Sequence, residues 1–323
     1  MASTDRFSFG HSNISYRIML AVISEEESQS EDFLGYVFRD LVKENPERSI
    51  YILVIPKSLE PVTISILLNQ LDKVYNTFFR VSKEDKKDYQ IFSLFYNENY
   101  NETIAKKNWD VATVSSNVDL SEIPKSYIRH LKQNNIHIKA YPAIQQFDLK
   151  PQKYNFHKPD ALMGSIPVVA VGGTFDHLHD GHKILLTISA FLAKDTLIIG
   201  VTGPELLKNK KYAEYMQPYE NRVDNVQSFL NIIGSTVKVD FYEINDICGP
   251  TAQLENIDAL IVSAESFKGA EFVNNKRTEK GWKKLDVYAI GVLGSSDSET
   301  FQNKMSSTDY RRLEYSKDNS RDT

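Results

Sequence analysis

Between residues 167 and 193 the chain runs Pro167-Val168-Val169-Ala170-Val171, then Gly172-Gly173, then a polar turn, then an apolar-periodic stretch from about 181 to 193. An unbroken apolar run is what a strand buried on both faces shows, and such strands sit in parallel sheets covered by helices. Further strand-like runs follow at 196–201, 237–244, 259–262 and 285–292, with helical patterns at 219–233 and 267–281. Five strands with crossover helices predict an α/β fold, a Rossmann-like doubly wound parallel sheet.

The first half alternates in the same way. Strands are expected at 17–23, 49–55, 89–96, 110–115 and 136–141, and helices at 32–44 and 62–79, which reads as a second α/β domain. Residues 145–167 are polar, carry Pro151, Pro159 and Pro167, and have no clear period, so they read as a connector. The expected domains are therefore 1–160 and 161–323. No internal repeat, heptad array or low-complexity tract is visible, and the polar ends 1–13 and 315–323 are expected to fray.

Composition narrows the function classes. With 41% hydrophobic and 25% charged residues the chain is a folded protein, and its net charge of −5 offers no global field for nucleic acid or anionic lipid. Any phosphate must be held locally. Cys248 is the only cysteine, so neither an internal disulfide nor a cysteine-based zinc site is available, and a reducing, cytoplasmic setting is the expectation. No stretch approaches the roughly 18 apolar residues of a membrane span.

The turn after the 167–171 run is Gly172-Gly173-Thr174-Phe175-Asp176-His177-Leu178-His179-Asp180-Gly181-His182, and it holds three of the seven histidines. Two glycines let backbone approach a ligand, and the helix that follows points free N–H groups at the same place, which makes a phosphate site. His179 and His182, three apart at a helix start, would face one way and could donate to a phosphoryl oxygen. Zinc held by His177, His179 and His182 is disfavoured, because no Cys or acidic ligand recurs at a supporting spacing, and no metal ligand set is expected.

The string Gly-Thr-Phe-Asp-x-x-His-x-Gly-His resembles the signature of the HxGH nucleotidyltransferases, and Lys304-Met305-Ser306-Ser307-Thr308-Asp309-Tyr310-Arg311 resembles their second motif, a Ser-rich turn entering a helix. Between them, residues 202–214, 217–222 and 262–269, with Asn275 and Arg277 after, are similar to the eukaryotic and archaeal branch of the pantetheine-phosphate adenylyltransferases. The likeness covers about residues 165–315. A cytidylyltransferase would show an Arg-Thr-x-Gly-Ile-Ser-Thr-Thr motif, which is absent.

The resemblance implies transfer of AMP from ATP to 4′-phosphopantetheine, giving 3′-dephospho-coenzyme A and pyrophosphate, with magnesium on the triphosphate. It implies that Gly172, Gly173, Thr174, Phe175, His179 and His182 line the ATP site. Thr174 would orient the acceptor phosphate, His182 would bond the α-phosphate, and His179 would support it. A lysine of the 208–211 cluster, with Lys210 preferred over Lys208, would bridge acceptor and α-phosphate. Ser306, Ser307, Thr308 and Arg311 would hold the β- and γ-phosphates, and Arg277 would reach phosphopantetheine. No Gly-x-x-x-x-Gly-Lys-Ser/Thr loop occurs, so a separate dephospho-coenzyme A kinase is expected. The N-terminal half shows no comparable motif, leaving docking of other pathway enzymes, regulation or a degenerate catalytic relative open. A cytidylyltransferase and a silent nucleotide-binding scaffold remain the alternatives for the whole chain.

Overall fold

The computed structural model describes residues 17–44, 48–55, 62–85, 89–94, 111–123, 125, 136–139, 160–291 and 306–320. The chain divides into two compact units, one of residues 1–60, 70–150 and 232–234, the other of 61–69, 151–231 and 235–323.

The first unit holds β1 (Arg17–Ser24), α1 (Glu25–Ser28), α2 (Glu31–Glu44), β2 (Arg48–Ile55), most of α3 (Ile64–Asp85), β3 (Gln90–Leu94), β4 (Val111–Ser115) and β5 (Ile136–Lys139). Its strands pair in parallel in the order β3-β2-β1-β4-β5. β1 is central, and Met19, Leu20, Ala21, Val22 and Ile23 are all buried. Helix α2 buries Leu34, Val37, Phe38 and Leu41, and α3 buries Leu71, Val74, Tyr75 and Phe78, spacings that put each set on one helix face. Phe38 meets Phe78 edge to face at 5.3 Å. Helix α3 outlasts the expected 62–79 because Val81 continues its buried stripe.

The second unit holds β6 (Ile166–Gly173), α4 (Asp180–Leu192), β7 (Ala193–Thr202), α5 (Tyr219–Ile232), β8 (Lys238–Ile244), β9 (Ala259–Ser263), α6 (Phe267–Glu279), β10 (Asp286–Ile290) and α7 (Ser307–Asn319). The strands are again parallel, in the order β10-β9-β6-β7-β8. Pro167 cannot donate to a ladder, and the β6–β7 register shifts at that point, between Ile166 and Val168. One layer of the core joins Ala170, Ile198, Leu260 and Ala289 from four strands to Ala270 and Val273 of α6. Burying each larger aliphatic side chain contributes about 1.5 to 3 kcal/mol.

Counted along the chain, both sheets have the order third, second, first, fourth, fifth. The absence of a sequence repeat thus conceals a repeated topology. Residues 315–319, expected to fray, are helical, since Tyr315 packs against Tyr212 at 5.3 Å and Tyr215 at 6.1 Å. The N-terminal tail 1–13, most of the expected connector (145–159), the strand ends at 95–96, 110, 140–141 and 292, and Lys304 and Met305 lie outside the described residues. No described helix is long and apolar enough to cross a membrane.

Candidate active site

In a sheet of this order the crevice that receives ligands opens at the carboxyl ends of the first and fourth strands, here β6 and β9. β6 ends in Gly172-Gly173, and the chain then doubles back through a turn in which Phe175 and His177 are left-handed, with φ of 49° and 45°. Left-handed backbone at non-glycine residues costs on the order of 1 kcal/mol or more each and needs anchoring. Phe175 is wholly buried with its ring folded beneath Gly173, where an added Cβ would lie 3.2 Å from that ring. Asp176 is 0% exposed and its Oδ1 accepts from Gln217 N at 3.0 Å, while His177 N donates to Gln217 Oε1 at 2.8 Å. The His177 ring stacks on Tyr310 of α7 at 5.9 Å, and its Nε2 lies 3.2 Å from the Tyr215 carbonyl oxygen.

Arg222, at the start of α5, ties three loops together. Its guanidinium donates to the carbonyl oxygens of Gln217 (3.1 Å), Thr174 (2.7 Å) and Thr202 (2.8 Å), and the residue is 2% exposed. The ends of β6 and β7 and the 203–218 loop therefore share one anchor.

Helix α4 begins at Asp180 with His179 as N-cap and no side-chain cap, so its first N–H groups lack an internal acceptor and offer an anion site. The rings of His179 and His182 stack at 3.9 Å, and Gly181 makes this close packing available, because a Cβ there would lie 3.1 Å from the His179 ring. His182 also packs against Phe175 at 5.3 Å. Removal from water, helped by the neighbouring His179, pushes His182 well below the usual imidazole range, so the ring is neutral at physiological pH. Its Nδ1 is enclosed and makes no hydrogen bond among the described residues, so Nε2 is the ring nitrogen left to meet a ligand.

The second motif enters α7. Ser306 is the N-cap of a capping box: its Oγ accepts from Asp309 N at 3.3 Å, and its main-chain N–H donates to Asp309 Oδ2 at 3.0 Å. Ser306 Oγ also donates to Asp309 Oδ2 at 2.7 Å, and the main-chain and hydroxyl bonds from Ser306 hold the Asp309 carboxyl below its ordinary range, with Arg312 and His179 nearby adding to the effect. Ser307 Oγ donates to the Asp176 carbonyl oxygen at 2.8 Å, so a residue 131 positions away is bonded to the first motif. The main-chain N–H groups of Ser307 and Thr308, in the first turn of α7, have no intrahelical acceptor.

Two arginines depart from the expectations. Arg277 is 0% exposed and spends its guanidinium on the carbonyl oxygens of Lys283, Thr251, Leu254 and Glu255, with Ile257 at 3.4 Å. These bonds lock α6 to the loop before β9 and engage every nitrogen of the guanidinium that the resemblance assigns to phosphopantetheine. Arg311 is 1% exposed and ion-paired with Asp176 at 2.5 Å, not open at the helix start. Lys208 pairs with Glu205 at 2.5 Å on the surface. Lys210 is exposed in the same loop and makes no ion pair among the described residues. Sequence reasoning gave no structural role to Asp176, Gln217 or Arg222, because nothing local in the sequence announces which distant carbonyl a buried guanidinium will serve. Among the described residues no three His, Cys, Asp or Glu side chains gather into a group that could hold a metal ion.

The cytidylyltransferase-like family model matches residues 170–313, from the middle of β6 into α7. The phosphopantetheine adenylyltransferase of Saccharomyces cerevisiae is 46% identical over 146 residues, which are 45% of this chain and 48% of that protein. The phosphopantetheine adenylyltransferase of Thermococcus kodakarensis is 41% identical over 127 residues, 39% of this chain and 76% of the archaeal one. A Schizosaccharomyces pombe protein described as uncharacterized is 43% identical over 126 residues, 39% of this chain and 40% of its own length. The matched segment thus spans about half or less of the yeast relatives and three quarters of the archaeal one. On this match and the two motifs within it, the chain belongs to the phosphopantetheine adenylyltransferase family of cytidylyltransferase-like nucleotidyltransferases.

Proposed function

We propose that residues 161–323 form a catalytic domain that transfers AMP from ATP to 4′-phosphopantetheine, releasing pyrophosphate and forming 3′-dephospho-coenzyme A in the cytoplasm. The observation that carries this reading is the bond from Ser307 Oγ to the Asp176 carbonyl oxygen, which fastens the start of α7 to the turn that leads into the stacked histidines and the uncapped start of α4. Two helix N-termini then serve one triphosphate.

An oxygen of the acceptor phosphate attacks the α-phosphorus of ATP. The bond to the bridging oxygen of the β-phosphate breaks, and pyrophosphate leaves. The acceptor is already anionic at neutral pH, so no strong base is needed, and positioning and charge stabilisation supply the rate. Neutral His182 donates through Nε2 to the α-phosphate as its charge grows, with His179 fixing the ring by stacking. Thr174, beside Gly172, Gly173 and Phe175, orients the acceptor. Lys210 offsets the repulsion between acceptor and α-phosphate, and Lys208 lies in the same loop. The main-chain N–H groups of Ser307 and Thr308 and the Thr308 hydroxyl hold the β- and γ-phosphates, while Ser306, bonded to Asp309, and the Ser307 hydroxyl, bonded to the Asp176 carbonyl oxygen, shape the turn that presents them. Magnesium enters with ATP as part of the substrate, coordinated mainly by phosphate oxygens. Residues 1–160 serve docking of other coenzyme A enzymes, among them a dephospho-coenzyme A kinase.

The test is pyrophosphate release by the purified chain with magnesium and either ATP or CTP, each with and without 4′-phosphopantetheine. Release that needs both ATP and phosphopantetheine supports the reading. Release with CTP and a different phosphorylated acceptor replaces it with cytidylyl transfer, and none with any pair replaces it with a nucleotide-binding scaffold.

A further inference from the structure

Resting on the proposed function, we infer that the buried Asp176–Arg311 ion pair is a positioning device that sets the three phosphate-facing segments against one another, and that Arg311 does not itself ligate phosphate.

The contacts divide the work among three segments. From Arg311, Nη1 pairs with Asp176 Oδ2 (2.5 Å), Nε donates to the Lys211 carbonyl oxygen (3.1 Å) and Nη2 donates to Thr308 Oγ1 (3.1 Å). From Asp176, Oδ1 accepts from Gln217 N, and the carbonyl oxygen accepts from Ser307 Oγ. One pair therefore fastens the turn carrying Thr174 and His182, the loop at Lys211, next to Lys210, and at Gln217, and the first turn of α7. Arg311 and Asp176 are 1% and 0% exposed. A guanidinium aimed at a triphosphate would need an open face, whereas this one lies behind the hydroxyls and N–H groups of the helix start.

The geometry also explains the residue types. The planar fork spreads its donors over three nitrogens, one each for a carboxylate, a carbonyl and a hydroxyl, whereas the donors of lysine radiate from one nitrogen, so lysine would keep the charge and lose the arrangement. A carboxylate whose two oxygens face different partners has a corresponding need for its full acceptor capacity.

The two roles give opposite signs in one variant. If Arg311 were the phosphate ligand and Asp176 its counter-ion, Asp176→Asn would free the arginine, and magnesium pyrophosphate would bind as tightly or more tightly. Positioning predicts weaker pyrophosphate binding and a kcat lower by about tenfold or more, since small misplacements of reacting groups are costly. Arg311→Gln should match this, Arg311→Lys should not rescue it, and Asp176→Asn/Arg311→Gln should be no worse than the poorer single change. Calorimetric titration with magnesium pyrophosphate, kcat measured well below each variant's unfolding temperature, and thermal unfolding are the readouts.

Unchanged or tighter pyrophosphate binding in folded Asp176→Asn overturns the inference, and so does rescue by lysine. Where a single variant fails to fold, the double variant decides, because it leaves no unpaired buried charge. Wild-type kcat in the folded double variant overturns the inference, and a drop of about tenfold or more supports it. A wild-type chain inactive with ATP and phosphopantetheine would sink the proposed function instead, while an active wild type with an equally active Asp176→Asn sinks only this inference.

Discussion

The two sheets have the same strand order and opposite arrangements at the point where that order reverses. After β6 the second sheet makes a long turn and starts α4 without a side-chain cap. After β1 the first sheet starts α1 at once, with Ser24 and Glu27 forming a capping box and Glu25, Glu26 and Glu27 filling the first turn. The buried Glu27 carboxylate accepts from Ser24 N (2.8 Å), Ser115 Oγ (2.5 Å) and Asn117 Nδ2 (2.8 Å), and Ser115 lies at the end of β4 across the reversal. Where the second sheet leaves helix N–H groups for an anion, the first sheet answers with its own carboxylate. Topology supplies the crevice, and the turn after the first strand decides whether it can take phosphate.

That contrast can be broken or sharpened by substitution. The largest effect is expected at His182, where His182→Ala should lower turnover by about 100-fold or more, worth about 3 to 4 kcal/mol in the transition state, with the fold intact. Near-normal turnover in a folded variant would remove the chemistry from this turn. Next, Arg277→Ala should cost about 3 kcal/mol of stability by stranding several main-chain carbonyls, while KM for phosphopantetheine stays unchanged at temperatures where the variant is folded. A selective rise in that KM would return Arg277 to the substrate site.

Glu27→Ala should destabilise the first sheet by about 2 kcal/mol, read from urea unfolding, without altering kcat, because the partners of a buried carboxylate lose their acceptor. A loss of activity in the folded variant would join the two crevices functionally. The smallest effect is with pH. The folded His182 titrates below its unfolded value, so between the two the unfolded chain binds more protons. Stability is fully present above about pH 6.5 and falls as pH drops below it, at up to about 1.4 kcal/mol per pH unit. Thermal unfolding of wild type and His182→Gln across this range checks the sign, since the variant should lose that slope.

Much of the fold was legible because buried strands advertise themselves. The run at 167–171 falls in β6, and the apolar runs near 259 and 285 fall in β9 and β10. The turn from Gly172 to His182 could be placed between strand and helix, and the spacing of His179 and His182 anticipated rings facing together. The arginines were not legible. Arg222, Arg277 and Arg311 look alike in sequence, yet each is spent on carbonyls from distant segments, and Arg311 also on a carboxylate, which only tertiary structure can assign. The left-handed backbone at Phe175 and His177 was hidden for a related reason, since it is uncommon outside glycine even for histidine and the surrounding bonds impose it. The shared strand order escaped notice because pairing geometry repeats without any repeat of side chains.

Of the two like-ordered crevices, the one at the ends of β6 and β9 is proposed to take nucleotide. Hydrogen–deuterium exchange of the whole chain with and without magnesium ATP distinguishes the two. Slower exchange is expected in residues 172–183 and 306–311, with residues 18–28 and 111–117 unchanged. Protection confined to the β1 and β4 ends, or equal at both reversals, would contradict it.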